Sequence, residues 1–337
     1  MSIYIDLKNS TDYSKLHEAA NIIKNGGIVL FPTETVYGLG ANGLDSNSVQ
    51  KVFYAKGRDY QNPVNLLVSD MKMVEMVAKN ISDLEYKLMN TFFPGPFTIV
   101  LQKTDIVPSI VTANHDTVGI RIPSGIIARK LVEFSSVPVA APSANLSGKP
   151  SGTILKNIYN DFKDKVDCMI DGGDSSIGIE STIVKVVDNI PHILRPGSIT
   201  LEQIEKVCGI KPINDYKTNP SDIPSNKFKH YSLNSKSIVV YSNNNEIMVS
   251  KISEIASNYT SPVILCSHSN VNKYNFKYVI DIGNNLEEIG KNIFAYLKQV
   301  DNISSDIIII EGVKQEGIGI AIMDRLIKAC ENNFVEI

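Results

Sequence analysis

The sequence predicts an α/β protein of two domains, and three observations carry that prediction. Short β-branched runs alternate with stretches of helical spacing along most of the chain. A segment rich in proline and asparagine, KPINDYKTNPSDIPSNKFKHYSLNSK, interrupts this alternation. The length of 337 residues at 43% hydrophobic supplies two cores at ~150 residues per domain. We therefore expect a first domain over residues 1–208, a linker over 209–236 and a smaller α/β domain over 237–337.

In the first domain, residues 27–31 (GIVLF), 97–101 (FTIVL), 118–122 (VGIRI), 137–141 (VPVAA) and 181–187 (STIVKVV) read as strands rich in β-branched residues. Between them, Val49, Val52 and Phe53 share a helical face, as do Leu84, Leu88 and Phe92. The second of these helices opens with a Ser82-x-x-Glu85 capping box, and Thr200-x-x-Gln203 signals another helix start after Pro196-Gly197. After the linker, SIVVYS, PVILCS, KYVIDI and DIIIIEGV read as strands, with helices over 286–300 and 319–330.

Composition excludes several function classes. The net charge of -3 and pI near 6.0 argue against an extended nucleic-acid surface, which would make a domain strongly basic. Cys168, Cys208, Cys266 and Cys330 are far apart, without a C-x-x-C pair, and read as small buried hydrophobes. The five histidines form no ligand pair. The start, MSIYIDLKNSTDYSK, lacks the apolar core of a signal peptide, and no apolar run approaches the ~18 residues of a membrane helix. A cytoplasmic location without membrane contact is expected.

Positive charge is distributed unevenly by type. Of 33 basic residues only five are arginine: Arg58, Arg121, Arg129, Arg195 and Arg325. Lysine serves as ordinary surface charge, so the arginines are candidates for sites needing a planar, bidentate fork. Lys56-Gly57-Arg58 follows an apolar helix, and by itself reads as a solvated helix end complementing the dipole. Nearby, Pro32-Thr33-Glu34-Thr35 sets two hydroxyls and a carboxylate at a strand end, where α/β sheets build ligand sites. Arg121 lies inside an apolar strand, where an unpaired charge costs several kcal/mol, so it should meet a carboxylate or phosphate. The loop AAPSANLSGKPS over 140–151 and the segment GIEST over 178–182 add small hydroxyl residues that let backbone and side-chain oxygens approach a ligand. Neither a P-loop nor a kinase signature is present, and Gly317-x-Gly319 lacks the third glycine of a dinucleotide fingerprint.

Taken together, FPTETVYGLGANG, the Lys56-x-Arg58 pair with Asn62-Pro63, FFPGPFTIVL, TVGIRIP, APSANLSGKPS, GIESTIVKV and LRPGSIT closely resemble, in order, the YrdC-like family of threonylcarbamoyl-AMP synthases over about residues 10–205. The linker with Lys229-His230-Tyr231 and the second domain ending in GIGIAIMDRLIKAC resemble the long, two-domain form. The resemblance implies a YrdC-like first domain with a twisted sheet and flanking helices, and a Rossmann-like second domain. It implies synthesis of L-threonylcarbamoyladenylate from L-threonine, bicarbonate and ATP with release of pyrophosphate. The product would pass to proteins that transfer threonylcarbamoyl to the tRNA adenosine next to the anticodon.

By the same resemblance, Arg58, Asn62, Thr117, Ser143, Ser151 and Arg195 contact ATP, with Tyr231 folding over the nucleotide from a lid-like linker. Lys56 joins Arg58 on the phosphates, and Asn145 completes an S-x-N pattern with Ser143 that orients the phosphate region. Thr35, Arg121, Ser181 and the backbone at Ala141 hold threonine, Arg121 by its carboxylate. Mg²⁺ accompanies ATP, held mainly by phosphate oxygens. The chain departs from the family's N-P-L-I-V-H pattern, with Leu67 in place of a histidine bordering the threonine site. Two rivals are an RNA-binding or ribosome-associated module without synthase activity, and a carbamoyl-transfer maturation enzyme. The acidic balance opposes the first, and missing cysteine-rich zinc motifs the second.

Overall fold

The computed structural model describes residues 2–218 and 230–337. They divide into two compact units, the first of residues 2–147, 151–176 and 180–218. The second comprises 230–337 together with the short segments 148–150 and 177–179.

In the first unit the chain runs β1 (Ile3–Asp6), α1 (Leu16–Lys24), β2 (Val29–Phe31), β3 (Gly38–Asn42), α2 (Ser46–Lys56), β4 (Leu66–Leu67), α3 (Met71–Val77), α4 (Asp83–Phe92) and β5 (Phe97–Gln102). It continues through α5 (Ser109–Thr112), β6 (Thr117–Arg121), α6 (Ile126–Ser135), β7 (Val139–Ala140), α7 (Leu155–Phe162), β8 (Cys168–Asp171), β9 (Thr182–Val187), β10 (Ile190–Arg195), α8 (Leu201–Cys208) and α9 (Asp215–Thr218). Ten strands form one mixed sheet in the order β1-β8-β2-β3-β7-β4-β6-β5-β9-β10. Both expected capping boxes are present, Ser82 with Glu85 on α4 and Thr200 with Gln203 on α8.

Apolar side chains from helices and strands form the cores of this unit. One cluster joins Phe53, Leu88, Phe97, Ile99 and Ile120, a second Leu16, Ile23, Phe31 and Leu131, and a third Tyr37, Leu39 and Phe162. Strand β6 shows how core and site share one element. Val118 and Ile120 enter the core, while period-two alternation puts Thr117, Gly119 and Arg121 on the opposite face. A Cβ at Gly119 would collide with Asn65 Oδ1, so glycine lets the Asn65 side chain pack against β6 without moving.

Two expectations shift. The strand expected over GIVLF is β2, and residues 38–42, for which no strand was expected, form β3, pairing antiparallel with β2 across the turn 32–37 despite the poor strand composition of GLGAN. The linker expected from residue 209 begins as packed chain: Ile193 N donates to Ile213 O at 2.8 Å and Ile213 N to Pro191 O at 2.9 Å. These backbone bonds extend the sheet edge without needing an apolar pattern. Residues 219–229, including Lys229 of the expected lid, lie outside the described residues.

The second unit alternates β11 (Ser237–Tyr241), α10 (Asn245–Ala256), β12 (Pro262–Cys266), a 3-10 segment (His268–Lys273), β13 (Tyr278–Asp281), α11 (Leu286–Val300), β14 (Ile307–Glu311), α12 (Gly319–Ala329) and β15 (Phe334–Glu336). Its five strands pair in parallel in the order β13-β12-β14-β11-β15. All five residues of β14, IIIIE, are buried, the continuous run that a parallel strand covered on both faces requires. This is the Rossmann-like unit expected. No helix among the described residues is long and apolar enough to cross a membrane.

Candidate active site

The Lys56-Gly57-Arg58 cluster gains its geometry from the end of α2. Gly57 adopts φ +62°, a left-handed C-cap that reverses the chain. Lys56 consequently points inward from the last helical turn, only 2% exposed, which rules out a solvated helix end. Its ammonium donates to Ser143 O, to Asn145 O at 2.7 Å and to Asn145 Oδ1 at 3.3 Å. Three N–H groups meet three acceptors, all on the loop that leaves β7. Burial drives the Lys56 ammonium well below its ordinary pKa, helped by Arg58 and opposed by Glu180.

Past the reversal, Arg58 Nη2 donates to Pro63 O at 2.8 Å and to Asn62 O at 3.3 Å, and its guanidinium stands 6.0 Å from the Phe53 ring centre. Burial and the proximity of Arg195 lower its pKa to about 10, so it remains charged at neutral pH. Arg195 ends β10, where the pairing with β9 is irregular. Its Nε and Nη2 donate to Ser181 O at 3.1 and 2.9 Å, and Nη2 also reaches Ser181 Oγ at 3.2 Å. Ser181 Oγ shares a 2.7 Å hydrogen bond with Thr98 Oγ1. Cations from two distant parts of the chain thus act electrostatically here, Arg195 on Arg58 and Arg58 on Lys56.

The loop after β7 runs beside the hydroxyl-rich turn. Leu39 N donates to Pro142 O at 3.0 Å and Ala144 N to Tyr37 O at 2.7 Å, bracketing Ser143. Ser143 Oγ donates to Asn145 Oδ1 at 2.6 Å, and Asn145 Nδ2 donates to Leu146 O at 2.8 Å. Ala141 N donates to Asn65 O at 3.0 Å. Ser151 Oγ donates to Glu180 Oε1 at 2.6 Å, both residues being buried.

Arg121, at the C-terminal end of β6, is 6% exposed and meets the carboxylate its setting demanded. Nε donates to Gly95 O at 3.0 Å and Nη1 to Thr35 Oγ1 at 2.9 Å, while Nη2 lies 2.6 Å from Glu34 Oε1. That last contact is an ion pair off the hydrogen-bonding direction, and Nη2 has no aligned acceptor among the described residues. Thr35 also shares a 2.9 Å bond with Thr33. Thr117 stands at the other end of β6, four residues or ~13 Å away. Only an elongated ligand touches both.

Tyr231 belongs to the second unit, where its ring lies 4.9 Å from that of Phe294 and its backbone takes φ +60°. Leu67 is a core residue beside Arg121's strand and offers no polar group. Two buried acids receive no role in the sequence motifs as read above, Glu180 and, beyond its presence in the turn, Glu34. The available signal for each is a carboxylate flanked by apolar or hydroxyl residues at a strand end.

Fold and site together define an enzyme arranged around anionic substrates, and the comparisons make the class specific. The family model described as Telomere recombination (Sua5_yciO_yrdC) matches residues 21–197. A second, Threonylcarbamoyl-AMP synthase, C-terminal domain, matches 199–330. A threonylcarbamoyl-AMP synthase of Pyrococcus abyssi is 39% identical over 341 residues, covering 100% of both chains. That of Bacillus subtilis is 36% identical, covering 95% of this chain and 94% of the relative. The crystal structure of P. abyssi Sua5 complexed with L-threonine superposes with a TM-score of 0.93 at 38% identity, covering 100% of each chain. The chain belongs to the threonylcarbamoyl-AMP synthase family.

Proposed function

We propose that this protein is an L-threonylcarbamoyladenylate synthase, joining L-threonine, bicarbonate and ATP and releasing pyrophosphate. One observation carries the reading: Lys56, Arg58 and Arg195 lie close enough that Arg58 lowers the proton affinity of Lys56 and Arg195 lowers that of Arg58. Repulsion among cations gathered in one place costs free energy, and a bound polyphosphate offsets it. Arg121 supplies a separate cationic point in the same unit, suited to an amino-acid carboxylate, with a buried Nη2 still lacking an aligned acceptor among the described residues.

On this reading the threonine ammonium releases a proton to solvent, and the free amine captures bicarbonate, with loss of water, to give an N-carboxylate. One of its oxygens attacks the α-phosphorus of ATP as the bond to pyrophosphate breaks. The attacking group is already an anion and needs no protein base. Arg58 and Arg195 hold the phosphates, with Asn62, Thr117, Ser143 and Ser151 along the nucleotide. Lys56 and Asn145 fix the Ser143 loop, and Thr35, Arg121, Ser181 and the Ala141 carbonyl take threonine. Positioning and charge stabilisation then provide most of the rate. Tyr231 closing over the nucleotide belongs to the same proposal.

Mg²⁺ is proposed to enter with ATP. No group of three potential protein ligands exists among the described residues, which fits an ion bound through phosphate oxygens and water. When bound it neutralises the departing pyrophosphate. The product is proposed to serve cytoplasmic proteins that modify tRNA. Incubation with ATP, labelled bicarbonate and L-threonine tests the reading: labelled threonylcarbamoyl-AMP and threonine-dependent pyrophosphate should appear together. Salt-sensitive tRNA binding with no ATP consumption would instead mark an RNA-binding module.

A further inference from the structure

Arg121 is fixed by an acid from the other side of the site. The Glu34 carboxylate joins the turn after β2 to the consecutive elements β6 and α6, far along the chain. Oε1 lies 2.6 Å from Arg121 Nη2 on β6 and accepts from Ser124 N at 2.9 Å. Oε2 accepts from Gly125 N at 3.2 Å, at the N-terminus of α6. Glu34 itself sits in the turn between β2 and β3, next to Thr35, whose hydroxyl accepts from Arg121 Nη1. Both side chains of the ion pair are at least nine-tenths buried.

Such an arrangement does more than neutralise a charge. An arginine fork has five N–H groups in one plane, so fixing two edges determines which way the remaining edge faces. Gly95 O holds Nε, Thr35 Oγ1 holds Nη1, and the Glu34 carboxylate draws Nη2 without taking an aligned hydrogen bond. The carboxylate is in turn anchored by two backbone N–H groups at a helix N-terminus, where negative charge is favoured. Neither the guanidinium nor its counter-charge can swing without losing the other.

We propose that Glu34 is a positioning residue for the amino-acid site, setting the angle at which Arg121 presents its guanidinium to the substrate carboxylate. This rests on the threonine-dependent synthase reading above. Glu34 touches no reacting atom, and its effect is transmitted through Arg121 alone, so it acts on threonine binding and spares ATP.

The test compares steady-state pyrophosphate release by the full chain with wild type, Glu34→Gln and Glu34→Asp, varying threonine and ATP separately. Glu34→Gln keeps the shape but loses the charge and turns an amide N–H toward donors, and should raise KM for threonine about tenfold or more while KM for ATP stays within about twofold. Glu34→Asp keeps the charge but draws it back, and should lie between the two. A purely structural role would lower the active fraction and melting temperature while leaving KM for threonine unchanged. A KM for threonine within twofold of wild type in Glu34→Gln overturns the proposal; if that variant does not fold, the same result in Glu34→Asp does so. Wild-type protein that releases no pyrophosphate in response to threonine overturns the synthase reading itself, and the proposal with it.

Discussion

Replacing Lys56 by methionine keeps the length of the side chain and removes its charge and its three donors. In the structure those donors hold Ser143 O, Asn145 O and Asn145 Oδ1, so the variant leaves two carbonyls without their ammonium partner. Ser143 O keeps a second donor, Asn145 N at 3.2 Å, so losing the ammonium costs ~1–3 kcal/mol. Against this stands the relief of burying a cation, itself several kcal/mol. The two oppose, so the net change in stability should be small, within about 2 kcal/mol in denaturant unfolding. Activity has no such compensation. Ser143 and Asn145 lose the group that fixes their loop, and pyrophosphate release should fall ~100-fold, equivalent to ~2.7 kcal/mol in the barrier. Turnover within about threefold of wild type would refute the reasoning.

The same variant tests the electrostatics through pH. In the folded protein Lys56 releases its proton well below the ordinary value, so between its folded pKa and ~10.4 the unfolded chain binds more protons. Stability of wild type relative to Lys56→Met should therefore rise with pH across that window. A difference that is flat or falls as pH rises would mean the ammonium is not destabilised by burial.

Further outcomes follow from the same geometry. Arg58→Ala and Arg121→Ala should each lower activity at least ~100-fold, from loss of a buried charge-assisted contact of ~3 kcal/mol, and near wild-type turnover in either would reject the site assignment. Burial lowers acidity at Cys168, Cys266 and Cys330, with thiols pushed up to about 12, so mass spectrometry after alkylation of native protein at neutral pH should find them unmodified. Acidification should selectively weaken the Glu34–Arg121 pair: burial alone would raise the Glu34 carboxyl, but Arg121 and the Ser124 N–H together lower it. The stability this contributes is present above ~4.3, the ordinary value, and is lost as pH falls through the lower folded value. The difference in melting temperature between wild type and Glu34→Gln should shrink over that range.

Local chemistry made much of the fold legible. Capping boxes at Ser82 and Thr200 depend on residues three apart, and both helices begin where those signals stand. The continuous apolar run of β14 marks a covered parallel strand by composition alone. Strand β7 falls within the expected run VPVAA, whereas β4, only two residues, and the glycine-rich β3 gave weaker signals because cross-strand backbone pairing forms them, without a side-chain pattern. The packed stretch around Ile213 was illegible for the same reason.

The site divides along the same line. The sequence by itself determined which residue types are present, and that a charge within VGIRIP must find an opposite partner, because an unpaired buried charge is too costly. It could not determine that Glu34 is the partner, nor that Lys56 faces the loop around Ser143. Those pairings join residues far apart in the chain, and they are fixed by strand order and by the left-handed turn at Gly57. Tertiary structure decided them because charge compensation acts through space, whereas the sequence records only neighbours along the chain.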